Sequence, residues 1–155
     1  MKRYWETLTS RTGLLLFLGT SLMFVPRQWA HYVAYICLYT AFDVWGFRDV
    51  DQRRGSPEYR ILQKMFALSI FTVIYFLDGW WTVGACVVAS YFLVCDVLYY
   101  WAVDVKLGEF TWFVESPVNF LFNVLLKKPT PVWAVVTSAA IGFSTGLYIT
   151  MRGIL

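Results

Sequence analysis

Asp96 and Asp104 lie within and at the end of Trp80–Val103, an apolar run with no other charge. A carboxylate in a membrane core costs several kcal/mol unless it is paired, protonated or facing a polar cavity, so it is a functional candidate by default. Tyr100 falls midway, placing Asp96, Tyr100 and Asp104 on one helix face at four-residue spacing. An earlier run carries His31, Tyr35, Tyr39 and Asp43 at the same spacing. The two runs cross in the same direction. If their polar faces meet, three carboxylates and several phenols line one cleft opening to the N-terminal side. Such a cleft suits proton or cation movement, because burial favours the neutral form of a carboxyl and makes its protonation switchable. In the alternative, each aspartate pairs with Arg48, Arg60, Lys64 or Lys106, or caps a helix, and only fixes how the helices pack.

Other chemistries find less support. Asp43, Asp49 and Asp51 could hold Mg²⁺ while Arg48, Arg53 and Arg54, with Arg60 and Lys64 nearby, grip a phosphorylated lipid. The carboxylate spacing of six then two matches no motif for that chemistry, which favours a solvated loop with local ion pairs. An aspartic protease needs two carboxylates at one depth, and Asp43 and Asp96 differ by about two helical turns. The single histidine, His31, excludes a bis-His haem site within the chain. Cys37, Cys86 and Cys95 read as buried thiols, with no CxxC pair and no Cys/His cluster. Neither a metal nor a cofactor is expected, and an enzyme is the lesser expectation.

The elements that must position these residues follow from composition. Of the 155 residues, 59% are hydrophobic and only 15% charged, too apolar for a soluble core of this size. The class is an all-α integral membrane protein, a single domain over residues 1–155. Continuous apolar runs argue against a transmembrane barrel, whose strands alternate. Five transmembrane helices are expected, at Arg11–Val25 (drawn out toward Leu8), Trp29–Gly46, Arg60–Leu77, Trp80–Val103 and Pro131–Met151. Lys2-Arg3 before the first run resembles a signal peptide, but Pro26-Arg27-Gln28-Trp29 is a poor cleavage context, so a retained helix is expected. Ser56-Pro57-Glu58 reads as a cap, first-turn proline and first-turn acid opening the third helix. Asp78-Gly79 permits only a tight turn. Ser116-Pro117 opens a short helix closing at Lys127-Lys128-Pro129, with Ser116, Asn119, Asn123 and Lys127 along one side. It is about 15 Å long, too short to span, so a cytoplasmic interfacial helix is expected before the last span.

Charge orients the bundle. With five spans, eleven basic residues (Lys2, Arg3, Arg11, Arg48, Arg53, Arg54, Arg60, Lys64, Lys106, Lys127 and Lys128) fall on the N-terminal side and only Arg27 and Arg152 opposite. The positive-inside rule then puts the N-terminus in the cytoplasm and the C-terminus outside, in a cytoplasmic (inner) membrane or its organelle equivalent. Basic residues flanking apolar runs serve that purpose and do not point to nucleic acid. In the last run Ala134, Ser138, Gly142 and Gly146 form a small-residue stripe, which admits close approach by another helix of this chain or of a partner.

Together with the 20% aromatic content, that stripe makes the leading functional expectation a non-catalytic accessory or structural subunit of a larger membrane complex. Its partners would be membrane lipids and other membrane subunits or itself. A proton- or cation-coupled carrier working through Asp96 and Asp43 is the first alternative. A lipid-phosphate enzyme at loop 43–54 is the second.

Overall fold

The computed structural model describes residues 10–45, 57–103 and 116–152. Among these there are seven α-helices and no strands. They are α1 (Arg11–Met23), α2 (Gln28–Trp45), α3 (Pro57–Asp78), α4 (Trp80–Tyr91), α5 (Val94–Val103), α6 (Pro117–Asn119) and α7 (Val132–Arg152). A π-helical turn, Phe120–Leu125, continues α6.

The 21-residue stretches Glu58–Asp78 and Val132–Arg152 are long and apolar enough to cross a membrane, and α4 and α5 together make a third if counted as one bent span. At 1.5 Å per residue each long helix measures about 31 Å, the thickness of a bilayer core. Two expected spans fall short on length or composition. The first ends at Met23 after 13 residues. The second has 18 residues but carries Gln28, His31, three tyrosines, Thr40 and Asp43.

That polarity has a place in the fold. Helix α2 is central and packs against α1, α3, α4, α5 and α7. Its polar groups therefore face protein, while the apolar side chains of the outer helices face outward. Phe76 is 80% exposed and Trp80 72%, alongside Phe17, Leu68, Trp81 and Trp133. Exposure of this kind fits a lipid-covered surface and not a water-covered one.

Local signals set most helix ends. Ser10 caps α1 by accepting from Gly13 N, and Ser116 caps α6 by accepting from Asn119 N. Helix α3 begins at Pro57 and ends at Asp78, where Gly79 takes a φ of 81° that suits glycine. One break has no such signal. The run expected to be continuous from Trp80 to Val103 bends by 59° between α4 and α5. Leu93 sits there at φ 66° and is buried. A left-handed conformation costs a residue with a Cβ roughly 1–2 kcal/mol.

The piece after Ser116 is two-sided. Ser116 and Asn119 are buried, whereas Phe120, Leu121, Val124 and Leu125 are exposed. Its polar side faces the protein and its apolar side faces out. Lys127, at φ 49°, ends the piece beside Lys128, and both lysines are exposed.

Candidate functional site

The line His31, Tyr35, Tyr39, Asp43 occupies one face of α2, and that face meets α3. The His31 Nδ1 and Asp78 Oδ2 atoms are 2.8 Å apart, both side chains nearly out of solvent. Tyr35 packs against Phe71 with its ring tilted by 32° and stacks on Tyr39, with centroids 5.1 and 5.6 Å away. Phe42 stacks flat on Phe66 at 3.9 Å. At the far end Asp43 accepts a hydrogen bond from the Tyr59 hydroxyl and another from Gln63 Nε2 at 2.6 Å. As residue numbers rise along α2 their partners fall along α3, so the helices are antiparallel. An aromatic seam between them is closed by a polar clamp at each end.

The clamps place two carboxylates at opposite ends of the bundle. Tyr59 and Gln63 are groups that sequence reasoning missed. Their signal was present: Tyr59, Gln63, Phe66, Ile70 and Ile74 recur at three- and four-residue spacing, one stripe of α3. Arg60 and Lys64, proposed as counter-charges from sequence, are both exposed. The donors from Tyr59 and Gln63 are neutral groups, and hydrogen bonds of this kind offset the cost of burying a carboxyl group.

A different face of α2 meets the fourth run. Thr40 Oγ1 donates to Cys95 O at 3.4 Å, and Cys37, Ala41 and Val44 share a core with Leu15, Tyr99 and Tyr100. Asp96 is half-buried in the first turn of α5. Both Asp43 and Asp96 lie within electrostatic reach of the Cys95 thiol. Tyr35 bridges the two sides, its hydroxyl 2.6 Å from Ser90 Oγ, which itself donates to Cys86 O at 3.1 Å. His31, Tyr35, Tyr39 and Asp43 thus line the α2–α3 seam, while Tyr100 belongs to a separate core and Asp96 lies on α5.

The small-residue stripe is used inside the chain. Ala134, Ser138, Gly142 and Gly146 are all buried. A Cβ at Gly146 would come within 2.3 Å of the Tyr32 ring, and one at Gly142 within 2.3 Å of Phe92 Cβ. Tyr32 Oη lies 3.3 Å from the carbonyls of Gly142 and Phe143 as their donor. Arg11 donates to Trp101 O at 2.6 Å and lies over the indole ring, tying α1 to the end of α5.

Asp104, Asp49, Asp51, Arg48, Arg53 and Arg54 lie outside the described residues. Among the described residues no cluster of three His, Cys, Asp or Glu could hold a metal. Compared with protein-family models, curated proteins and solved structures, the chain matches none.

Proposed function

We propose that the chain is a five-span membrane protein with a cytoplasmic N-terminus and an external C-terminus, serving as a non-catalytic accessory or structural subunit of a larger membrane complex. One observation carries this reading: the polar side chains of the interior hold helices together. His31 and Asp43 join α2 to α3, Thr40 joins α2 to α5, Tyr32 joins α2 to α7, and Ser138 joins α7 to the α4–α5 break. None of Asp43, Asp78 and Asp96 is without a partner. A working cleft keeps polar groups unspent for its cargo, whereas His31, Asp43, Asp78, Tyr32, Thr40 and Ser138 are taken up by contacts between helices. The exposed aromatic and aliphatic surface is left for lipid and neighbouring chains. Counting α1, α2 and the α4–α5 pair as spans restores the charge partition, since a central helix shielded by protein tolerates polarity that a lipid-facing one does not.

Native mass spectrometry of the protein extracted in mild detergent from its own membrane tests this reading. Fixed partner chains at constant stoichiometry are expected. Recovery of the chain alone or only as copies of itself counts against the subunit reading.

The carrier reading rests on a separate feature, the interrupted fourth run. Half-helices meeting inside a membrane are a recurring way to build a coupling-ion site, and Asp96 opens the second half. Proton or cation flux into vesicles reconstituted with the purified chain, lost in Asp96→Asn with assembly unchanged, would favour the carrier over the subunit.

A further inference from the structure

We propose that the break at Leu93 is a hinge, held bent by two hydroxyl catches, Ser138 on α7 and Thr40 on α2. The run from Trp80 to Val103 contains no proline, and its one glycine, Gly84, lies inside α4. Nothing local therefore asks for an interruption, and the sequence on both sides is apolar enough to continue as one helix. Leu93 nevertheless holds a backbone conformation that leucine rarely adopts, in a fully packed position. A strained conformation persists where its surroundings over-determine it.

Two hydroxyls from neighbouring helices and one close-packed glycine do so here. Ser138 Oγ donates to Phe92 O at 3.2 Å, and Thr40 Oγ1 donates to Cys95 O at a long 3.4 Å. These carbonyls flank Leu93 on either side. Phe92 is seated directly on Gly142, where no Cβ would fit. Both catches have an alternative acceptor. In this chain Ser69, Thr72 and Ser90 each donate to the carbonyl four residues earlier in their own helix. The equivalent partners for Ser138 and Thr40 are the carbonyls of Ala134 and Ile36. A hydroxyl released from the break thus loses no hydrogen bond, and the freed segment regains its helical pairing. Two packings of one segment, each with its polar groups satisfied, make a bistable element.

The moving half, α5, carries Asp96 and is tethered at its far end by Arg11 through the Trp101 carbonyl. A swing at Leu93 therefore moves Asp96 relative to α4 and pulls on α1.

Spin labels on the whole chain in detergent micelles test this. They are placed at Trp81→Cys and Val103→Cys, with Cys37, Cys86 and Cys95 changed to alanine. A straight helix separates these backbone positions by about 33 Å, and a 59° bend near Leu93 shortens the span to about 29 Å. The otherwise unaltered chain is expected to give the shorter distance. Adding Ser138→Ala and Thr40→Val is expected to bring in a longer component with helix content retained. An unchanged distance distribution in that variant overturns the proposal. Should the variant lose its fold, Ser138→Ala and Thr40→Val made separately decide. Each is expected to bring in part of the longer component, and an unchanged distance distribution in both overturns the proposal.

Discussion

At Asp43 a buried carboxylate is held by a phenol and an amide. Tyr59→Phe removes the phenolic donor while leaving the ring, so the carboxylate stays buried with one bond fewer. Leaving a buried acceptor short of a partner costs about 1–3 kcal/mol. Unfolding titrated with SDS in mixed micelles should register a loss of that order, whereas Arg60→Ala, on the exposed side of the same turn, should change little. The glycines offer a second contrast. Gly146→Ala drives a methyl into the Tyr32 ring, an overpacking that costs about 1–3 kcal/mol. Gly84 has open space around its would-be Cβ. Gly84→Ala should therefore be neutral or stabilise by up to about 1 kcal/mol through the unfolded chain's lost freedom. Equal losses at both glycines in the same assay would contradict the packing described. The small-residue stripe was legible from spacing alone, but its occupants, Tyr32 and Phe92, were not. Spacing marks a face and says nothing about which neighbour fills it.

Helix α3 is the least enclosed of the long helices and exposes most of its apolar side chains. It is held to α2 by aromatic packing with a polar clamp at either end, so the clamps fix its register. His31 and Asp78 form the clamp at the C-terminal end of α3, and its members lie 47 residues apart in sequence. Hydrogen bonds between membrane helices average only about 0.6 kcal/mol, because unpaired helices in a bilayer find other partners. A buried bond to a charged group is stronger, about 1.5–3 kcal/mol. A double-mutant cycle with His31→Ala and Asp78→Ala should give a coupling in the upper range. A coupling near zero would mean that each residue satisfies itself separately. At this scale the sequence was read well where a local signal ended a helix. Pro57, Asp78-Gly79 and Ser116-Pro117 all fall at observed boundaries. It misled at Leu93, because the bend there is set by Ser138, Thr40 and Gly142, residues remote in the chain. The facing of α2 toward α3 was equally out of reach, since periodicity gives each helix a polar face and no pairing.

Across the whole molecule, the contacts sort the helix ends into two levels. Arg11 at the start of α1 touches Trp101 near the end of α5, and Asp43 near the end of α2 touches Tyr59 at the start of α3. His31 near the start of α2 touches Asp78 at the end of α3. The α1–α2 turn and the α3–α4 turn therefore lie on one side, and the end of α2 and the start of α3 on the other. The bent α4–α5 pair leaves from Gly79 and arrives beside Arg11, so it passes from one level to the other and does not turn back. This matters because a bent pair of apolar helices can be either one crossing or a re-entrant loop. One crossing is what the proposed five-span arrangement and its positive-inside partition require. Reporters fused before Met1 and after Leu155 in a living membrane check it, with the first expected in the cytoplasm and the second outside. Finding both on the cytoplasmic side would require an even number of spans. The first element to doubt would then be the α4–α5 pair, since it alone among the long apolar stretches is broken within the bundle. A re-entrant pair would leave Trp101 on the outer side, away from Arg11. That outcome would also be visible locally, because Arg11→Ala would then cost nothing in the SDS titration that the Arg11–Trp101 tie predicts it should shift.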